Sequence, residues 1–216
     1  MKQHYLLIIF LSFSISCFAQ QNKRLTLEIN YGLNGNFFVR SYNENAGLNS
    51  KSFYNKNFLG SIAGIEIKCK VNPRSALGVA YAKSVNSKEI DYKGQINGVN
   101  VGIINFNIRH TNKFYQFYYD RSFSKKIPGF FYQIGLLYLR MNQQEVDLTN
   151  INNSILFEER NYKSYKLEEG GIFFGLHYTK KIDTKFDLGI KSRIYYLIST
   201  SSLEAITLTP SLSYHF

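Results

Sequence analysis

Two histidines are the side chains of this sequence best suited to acid–base chemistry. His110 lies between Arg109 and Thr111, and His177 lies close to a short turn. A histidine can act as a general base in acyl transfer when it activates a neighbouring hydroxyl. No serine stands in a diagnostic context beside either residue, so we expect both to be hydrogen-bonded histidines inside or at the rim of the fold.

Recognisable catalytic motifs are missing from the sequence. It contains no G-x-x-x-x-G-K-[ST], H-E-x-x-H, G-x-S-x-G or C-x-x-C. Phosphate-binding loops, zinc-protease helices, nucleophile elbows and thiol redox pairs therefore lack support. The sequence predicts no cofactor, no metal site and no catalytic residue beyond the candidates His110 and His177, which favours a protein without enzymatic activity.

A second set of chemically active side chains consists of charged residues that alternate with apolar ones. A period of two places them on one face of strands, opposite the apolar face. Unpaired buried charges cost several kcal/mol each, so we expect acidic and basic members to form a hydrogen-bonded network inside a barrel. The predicted network contains Glu28, Glu66, Lys68, Lys70, Asp120, Asp187, Lys191 and Arg193.

Eight segments carry this alternation, and the links between them alternate in length. The segments are 25–34, 63–71, 77–82, 115–120, 130–138, 171–178, 186–196 and 206–216. Short turn-rich links alternate with longer polar segments, which run roughly over 41–57, 86–100, 142–164 and 199–202. This arrangement predicts an all-β fold, an eight-stranded antiparallel transmembrane β-barrel with up-and-down meander topology.

The direction of the apolar face separates a soluble barrel from a membrane barrel. A lipocalin-like barrel turns its apolar face inward, whereas a membrane barrel turns it towards lipid. Charges on the opposite face and Tyr and Phe residues near strand ends favour the membrane barrel. Side chains just fill the interior of eight strands, so no open channel is expected. Pro210 lacks an N–H and should cost the last strand one ladder hydrogen bond.

The N-terminus predicts export. Lys2 and His4 precede an apolar run over 5–15 that ends at Cys17-Phe18-Ala19. These features predict a cleaved secretory signal peptide over 1–19, followed by the barrel domain over 20–216. The run is shorter than the roughly 20 apolar residues of a membrane-spanning helix, which disfavours an uncleaved anchor. Export also disfavours nucleic acid as a partner, although the formal net charge is +11.

The pattern resembles small outer-membrane barrel proteins of Bacteroidota, in the broader OmpX/OmpW-like group. The resemblance rests on the signal end Phe18-Ala19-Gln20, the stretch 114–138 with its short turn, and the final strand 208–216. It implies an outer-membrane location, a monomeric barrel and recognition by the barrel-assembly machinery. The residues that match the family's assembly signal are Leu208, Leu212, Tyr214 and Phe216.

The long loops are the expected carriers of function. We expect a structural or loop-mediated interaction role, with outer-membrane lipid and lipopolysaccharide as contacts. The alternatives are a lipid-modifying enzyme with His110 or His177 as base, and a narrow channel or carrier for small hydrophobic molecules. Basic loop residues suited to anionic lipopolysaccharide heads are Arg40, Lys51, Lys56, Lys88, Lys93, Arg160 and Lys163.

Overall fold

The computed structural model describes residues 25–36, 58–96, 99–124, 127–147, 156–161 and 167–216. These ranges form the antiparallel strands β1 (Leu25–Asn36), β2 (Phe58–Asn72), β3 (Ser75–Ile96), β4 (Val99–Ser124), β5 (Ile127–Asp147), β6 (Leu156–Asn161), β7 (Glu168–Lys181), β8 (Phe186–Leu197) and β9 (Ser202–His215). No helix in the described ranges is long and apolar enough to cross a membrane. The predicted signal peptide, 1–19, lies outside the described residues.

Eight of these strands close into a barrel. The closed order is β1-β2-β3-β4-β5-β7-β8-β9, and β9 pairs back onto β1. Strand β6 pairs only with the distal end of β5, so it extends one hairpin and does not enter the wall. The prediction of an eight-stranded antiparallel meander is confirmed. Each predicted strand segment coincides with one of the eight wall strands, and only the last segment, 206–216, runs one residue past its strand.

Side chains alternate between the two faces of the wall, as the period of two predicts. Along β7, exposed and buried residues follow one another from Glu168 to Tyr178. The outward positions carry mainly aliphatic and aromatic side chains, whereas the lumen holds most of the buried polar and charged side chains together with a smaller apolar cluster. The large exposed residues include Ile29, Leu33, Ile65, Phe117, Ile134, Leu136, Phe174, Leu188, Ile190 and Leu208.

Two hairpins continue beyond the barrel on the side of the long connections. The pairing of β2 with β3 stops at Gly60 and Asn86, whereas β3 and β4 stay paired as far as Ile96 and Val99. Strands β5 and β6 continue in the same way. The sequence predicted loops over 86–100 and 142–164. That prediction was wrong for residues 86–96, 99–100, 142–147 and 156–161, which form strands. Part of this region does alternate, since Ile104, Phe106 and Ile108 are separated by Asn105 and Asn107. That strand pattern was overlooked.

Pro210 interrupts the seam between β1 and β9. The pairing stops after Asn30–Ser211 and resumes at Leu33–Leu208, while Pro210 stays in register with Ile190 of β8. The missing N–H of proline explains the local loss. At this point β1 carries Gly32, where a Cβ atom would lie 2.2 Å from the carbonyl oxygen of Leu208. Glycine therefore permits the close approach of the two strands.

Candidate functional site

Three acidic and three basic side chains meet in the middle of the lumen. Lys191 from β8 lies between two carboxylates, and its Nζ donates to Glu66 Oε1 over 2.8 Å and to Glu28 Oε1. Arg193 Nη2 donates to Glu66 Oε2 over 2.8 Å. Glu28, Glu66 and Lys191 are at most 2% exposed. Since strand alternation points all of these side chains inward, residues far apart in sequence come within hydrogen-bond distance.

Lys68, Asp120 and His177 continue this group of charged side chains towards the short turns. Lys68 Nζ lies 2.7 Å from Glu28 Oε2 and 3.5 Å from Asp120 Oδ2. His177 Nε2 lies 3.0 Å from Asp120 Oδ1, and its ring stacks on Phe131. The lysines and Arg193 balance the three carboxylates, so the formal charge of these six groups is zero. We name Glu28, Glu66, Lys68, Asp120, Lys191 and Arg193 the charge network.

Neutral polar side chains complete the hydrogen bonds of the charge network. Arg193 donates from Nη1 to Gln116 Oε1 over 2.9 Å and from Nε to Gln133 Oε1 over 3.0 Å. Tyr118 donates its phenolic proton to Glu66 over 2.5 Å, and Ser213 donates to Glu28 over 3.2 Å. Buried charges are tolerated when paired and hydrogen-bonded in this way.

An aromatic layer covers the charge network on its loop side. The Arg193 guanidinium lies 5.1 Å from the ring centres of both Tyr118 and Phe173. Tyr195 packs against Phe114 at 4.9 Å and against Phe173 at 5.7 Å. Buried aliphatic residues fill the same level, namely Ile62, Leu137, Leu139, Met141 and Leu197. Together these side chains fill the lumen above the charge network.

Glycines make room for the largest residue of this layer. Tyr118 lies in register with Gly78 on β3 and with Gly135 on β5. A Cβ atom at Gly78 would lie 2.4 Å from the Tyr118 ring, and one at Gly135 would lie 2.6 Å from Tyr118 Cβ. Any larger residue at these positions would have to displace Tyr118 or distort the wall.

A separate polar group lies at the loop end of the lumen. Glu204 Oε1 accepts from Asn36 Nδ2 over 3.1 Å and from Asn112 Nδ2 over 3.0 Å. His110 pairs in register with Asn86 and lies on the loop side of the outward-facing Lys113. Burial lowers the pKa of His110 to about 4, because the charged imidazolium is poorly solvated there. His110 is therefore neutral near pH 7.

A pocket of about 160 Å³ opens the lumen at the turn end. Its wall includes Lys68, Asp120 and His177, so the charge network forms its floor. At its rim, His215 lies 2.9 Å from Thr26 Oγ1 and 2.8 Å from Asp187 Oδ2. Most of the residues that line the pocket are polar or charged, and it is large enough for a few water molecules. Within the described ranges, no three His, Cys, Asp or Glu side chains are grouped as metal ligands.

The structure separates the sequence-predicted residues into groups. It brings Glu28, Glu66, Lys68, Asp120, Lys191 and Arg193 together. Lys70 was expected to join them, but it is exposed at the turn end. Asp187 instead binds His215 at the rim. Alternation identifies the face of a strand and carries no information on depth, which explains both differences. His177 contacts the charge network through Asp120, whereas His110 lies at the opposite end of the lumen.

Sequence reasoning missed the aromatic layer, because aromatic residues were expected to face lipid. Phe173, Tyr118 and Tyr195 instead face the lumen and are at most 2% exposed. Each has an aromatic neighbour in sequence: Phe173 precedes Phe174, and Tyr195 precedes Tyr196. Adjacent strand residues point to opposite faces, so aromatic doublets are the signal that could have placed one ring of each pair inside.

Comparison with known proteins supports the fold. No protein-family model matches the chain, and no curated protein matches its sequence. Neisserial surface protein A has a TM-score of 0.50 at 11% identity, covering 89% of this chain and 97% of that chain. Ail, the attachment invasion locus protein of Yersinia pestis, has 0.46 at 10%, covering 90% and 100%. Outer Membrane Protein W of E. coli has 0.33 at 10%, covering 91% and 100%. The chain has the fold of the small outer-membrane β-barrels.

Proposed function

We propose that the chain is an integral outer-membrane protein whose barrel anchors its extracellular loops for a structural or interaction role. The proposal rests on one observation. The wall exposes apolar side chains on its outer surface and buries charged ones in its lumen, which is the reverse of a water-soluble barrel. Leu136 is 63% exposed and Ile134 is 56% exposed, whereas Glu66 is 1% exposed. The wall therefore presents a belt of aliphatic side chains to the surroundings and encloses the charge network.

The size of the apolar surface supports the membrane assignment. Exposed aliphatic and aromatic residues recur on all eight wall strands. Removing apolar surface from water is worth about 25 cal/mol per Å², and soluble monomers rarely expose apolar patches above a few hundred Å². A belt around the whole wall is stable in a bilayer and would cause aggregation in water.

Aromatic residues lie near both edges of this belt. Tyr81, Tyr115 and Tyr138 are exposed towards the loop end, and Phe123 and Phe216 are exposed at the turn end. Amphipathic and aromatic rings are enriched where a bilayer meets water. We assign the two levels to the two interfaces between bilayer and water, with the long hairpins on the outer side.

The filled lumen argues against a channel. The charge network and the aromatic layer occupy successive levels of the same interior. An eight-stranded barrel has room for little beyond its own side chains. A protein with this interior should give no single-channel conductance in a planar bilayer, and steady conductance from the purified wild type would restore the channel alternative.

The positions of the histidines argue against an enzyme acting on bilayer lipid. His177 is 4% exposed, and its Nε2 is held by Asp120 inside the lumen. His110 is also inward-facing and buried. A base for lipid chemistry would have to reach the outward surface, where the acyl chains and head groups lie. An unchanged lipid A mass spectrum after deletion of the gene is the expected result.

Location and folding state provide the test of the proposed function. The protein should fractionate with outer membranes, resist extraction by alkaline carbonate and migrate faster on a gel when unheated than after boiling. A closed barrel retains detergent-resistant structure, which explains the expected difference in mobility. Recovery of the folded protein in the soluble periplasmic fraction would contradict the proposal.

Biogenesis forms part of the same proposal. The resemblance to barrels of Bacteroidota implies export by the signal peptide and recognition of the final strand by the barrel-assembly machinery. Leu208 and Leu212 are exposed on the outward face of β9. Tyr214 packs against Phe186 at 5.2 Å and against Phe216 at 4.9 Å. An accessible strand with this alternation supports the assembly signal predicted at Leu208, Leu212, Tyr214 and Phe216.

A further inference from the structure

Three basic residues lie side by side on neighbouring strands of the wall. Lys83 of β3 is directly opposite Lys113 of β4, and Lys113 is directly opposite Arg140 of β5. Their positions alternate with the inward-facing Ala82, Phe114 and Leu139, so all three belong to the outward face. We name Lys83, Lys113 and Arg140 the basic row.

A row of tyrosines lies immediately below the basic row on the same face. Tyr81, Tyr115 and Tyr138 are also in register with one another. The Tyr115 ring lies 5.3 Å from that of Tyr81 and 6.0 Å from that of Tyr138. Tyrosines at this level are typical of the boundary between bilayer and water. The basic row therefore lies at the height of lipid head groups.

The tyrosines help to hold one member of the basic row in place. The Arg140 guanidinium lies 5.3 Å from the Tyr138 ring and 5.9 Å from the Tyr115 ring. Arg140 Nε donates to Tyr138 Oη over 3.3 Å and also contacts Glu168 at 3.0 Å. Cation–π contacts fix the direction of the guanidinium.

The arrangement of charges indicates an anionic ligand. Like charges directly opposite on paired strands are destabilising, and here two such pairs share Lys113. A phosphate placed between neighbouring cations of the row would be attracted to both of them. Arg and Lys are the usual phosphate ligands, since their N–H groups form charge-assisted hydrogen bonds with phosphate oxygens.

We propose that the basic row, with the tyrosines beneath it, binds the phosphorylated sugar head of lipopolysaccharide. This inference rests on the proposed membrane function and deepens it, because it names the lipid and the residues that hold it. The row lies at the loop end, which faces the outer leaflet in barrels of this kind. Its three strands span about 10 Å, given a spacing of about 4.8 Å between strands. That width fits a head group with more than one phosphate better than a single phosphodiester.

The test compares two variants that lose the same charge. Lys83→Gln/Lys113→Gln/Arg140→Gln removes the basic row. Lys180→Gln/Lys181→Gln/Lys185→Gln removes three exposed lysines at the turn end and serves as control. The full-length proteins, purified in detergent and freed of lipid, are titrated with bisphosphorylated lipid A, dephosphorylated lipid A or phosphatidylglycerol. Bound lipid is counted by native mass spectrometry.

We expect the loss of lipid affinity to depend both on which residues are substituted and on which lipid is added. The basic-row variant should bind bisphosphorylated lipid A at least about tenfold more weakly than wild type, and the control within about twofold. Dephosphorylated lipid A should bind all three proteins alike. Equal affinity of the basic-row variant and wild type for bisphosphorylated lipid A would overturn the inference. An equal loss of phosphatidylglycerol binding would overturn the commitment to lipopolysaccharide.

Gel mobility separates this inference from the proposed function. Both variants should keep the heat-dependent mobility of the wild type, because the substituted residues lie outside the charge network. If the wild type lacks heat-dependent mobility and membrane association, the proposed function fails. If the wild type has both and the basic row makes no difference to lipid binding, only the present inference fails.

Discussion

The phenol of Tyr118 donates a hydrogen bond of 2.5 Å to Glu66, and this contact joins the two central layers of the lumen. The Tyr118 ring belongs to the aromatic layer, where it packs edge-on against Phe173. Glu66 belongs to the charge network and also binds Lys191 and Arg193. One side chain thus connects apolar packing with ion pairing, although Tyr118 and Glu66 are on strands that are not neighbours in the wall.

Loss of the Tyr118 hydroxyl should weaken the barrel without removing its packing. Tyr118→Phe leaves the ring in place and deletes one hydrogen bond to a buried carboxylate, which should cost about 1.5–3 kcal/mol. Equilibrium unfolding in guanidinium from detergent micelles measures the change. Tyr119→Phe is the control, since Tyr119 belongs to the outward face. Equal effects of the two substitutions would show that the contact with Glu66 adds no stability.

Gly78 should tolerate no side chain while Tyr118 is present. The Cβ atom of Gly78→Ala would lie 2.4 Å from the Tyr118 ring, and overpacking of this kind costs about 1–3 kcal/mol. Gly170→Ala is the matched control, because no atom lies within 4 Å of a Cβ placed there. The free energy of unfolding of both variants provides the comparison. A fall for Gly170→Ala as large as that for Gly78→Ala would point to a general loss of glycine rather than to a clash.

Removal of one cation should unbalance the charge network. Lys191→Met leaves Glu28 without a partner on that side and should destabilise the barrel by about 3–5 kcal/mol. The double variant Lys191→Met/Glu28→Gln restores a formal charge of zero and should recover part of this loss. A double-mutant cycle in guanidinium measures the coupling. Additive effects would mean that Lys191 and Glu28 act independently, contrary to their direct contact.

The stability cost of a charge on the outward face should show whether a bilayer surrounds the wall. Ile134 lies near the middle of the apolar belt, so Ile134→Arg should cost about 2–4 kcal/mol in a lipid bilayer. Val71 is similarly exposed, at 54% compared with 56%, but lies at the turn end. Val71→Arg should cost only about 0–1 kcal/mol near the interface. Refolding into vesicles at increasing denaturant gives both values, and equal costs would contradict a bilayer around the wall.

The predicted assembly signal can be tested apart from stability. Phe216→Ala should lower the fraction of the protein that reaches the heat-modifiable form in cells, because it removes the terminal aromatic of the final strand. Refolding of the same variant in detergent should stay close to wild type. Leu188→Ala, on the outward face of neighbouring β8, is the control. A parallel loss in cells and in detergent would indicate a stabilising role for Phe216 rather than a signal.

Alternation alone was sufficient to predict the eight wall strands. Segments such as 171–178 and 186–196 have one exposed apolar face and a second face in the lumen, so their pattern has the period of the strand itself. In the projecting part of the β3–β4 hairpin, a similar alternation over Ile104, Phe106 and Ile108 was overlooked within a mostly polar stretch. Its strands depend on cross-strand pairing between residues such as Lys88 and Ile108, which a single sequence does not reveal.

The composition of the lumen was only partly predictable. Charged residues on the polar face of β1, β2, β4 and β8 indicated the charge network, since buried charges require partners. The choice of partners depends on strand tilt and register, which bring Glu66 of β2 to Arg193 of β8. The aromatic layer was missed, because Phe173 and Tyr195 were overlooked beside outward-facing aromatic residues.

The charge network also acts as a check on correct strand registration. Its six residues come from β1, β2, β4 and β8, so it forms only when these strands are aligned at the same height. A slip of one residue turns every side chain of a strand to the opposite face. A misaligned β8 would turn Lys191 and Arg193 to the outward face, remove both cations from Glu66 and leave Glu28 with Lys68 alone. An error in register would thus destabilise the barrel through its outward face and through its lumen together. This double cost favours the barrel with the correct register.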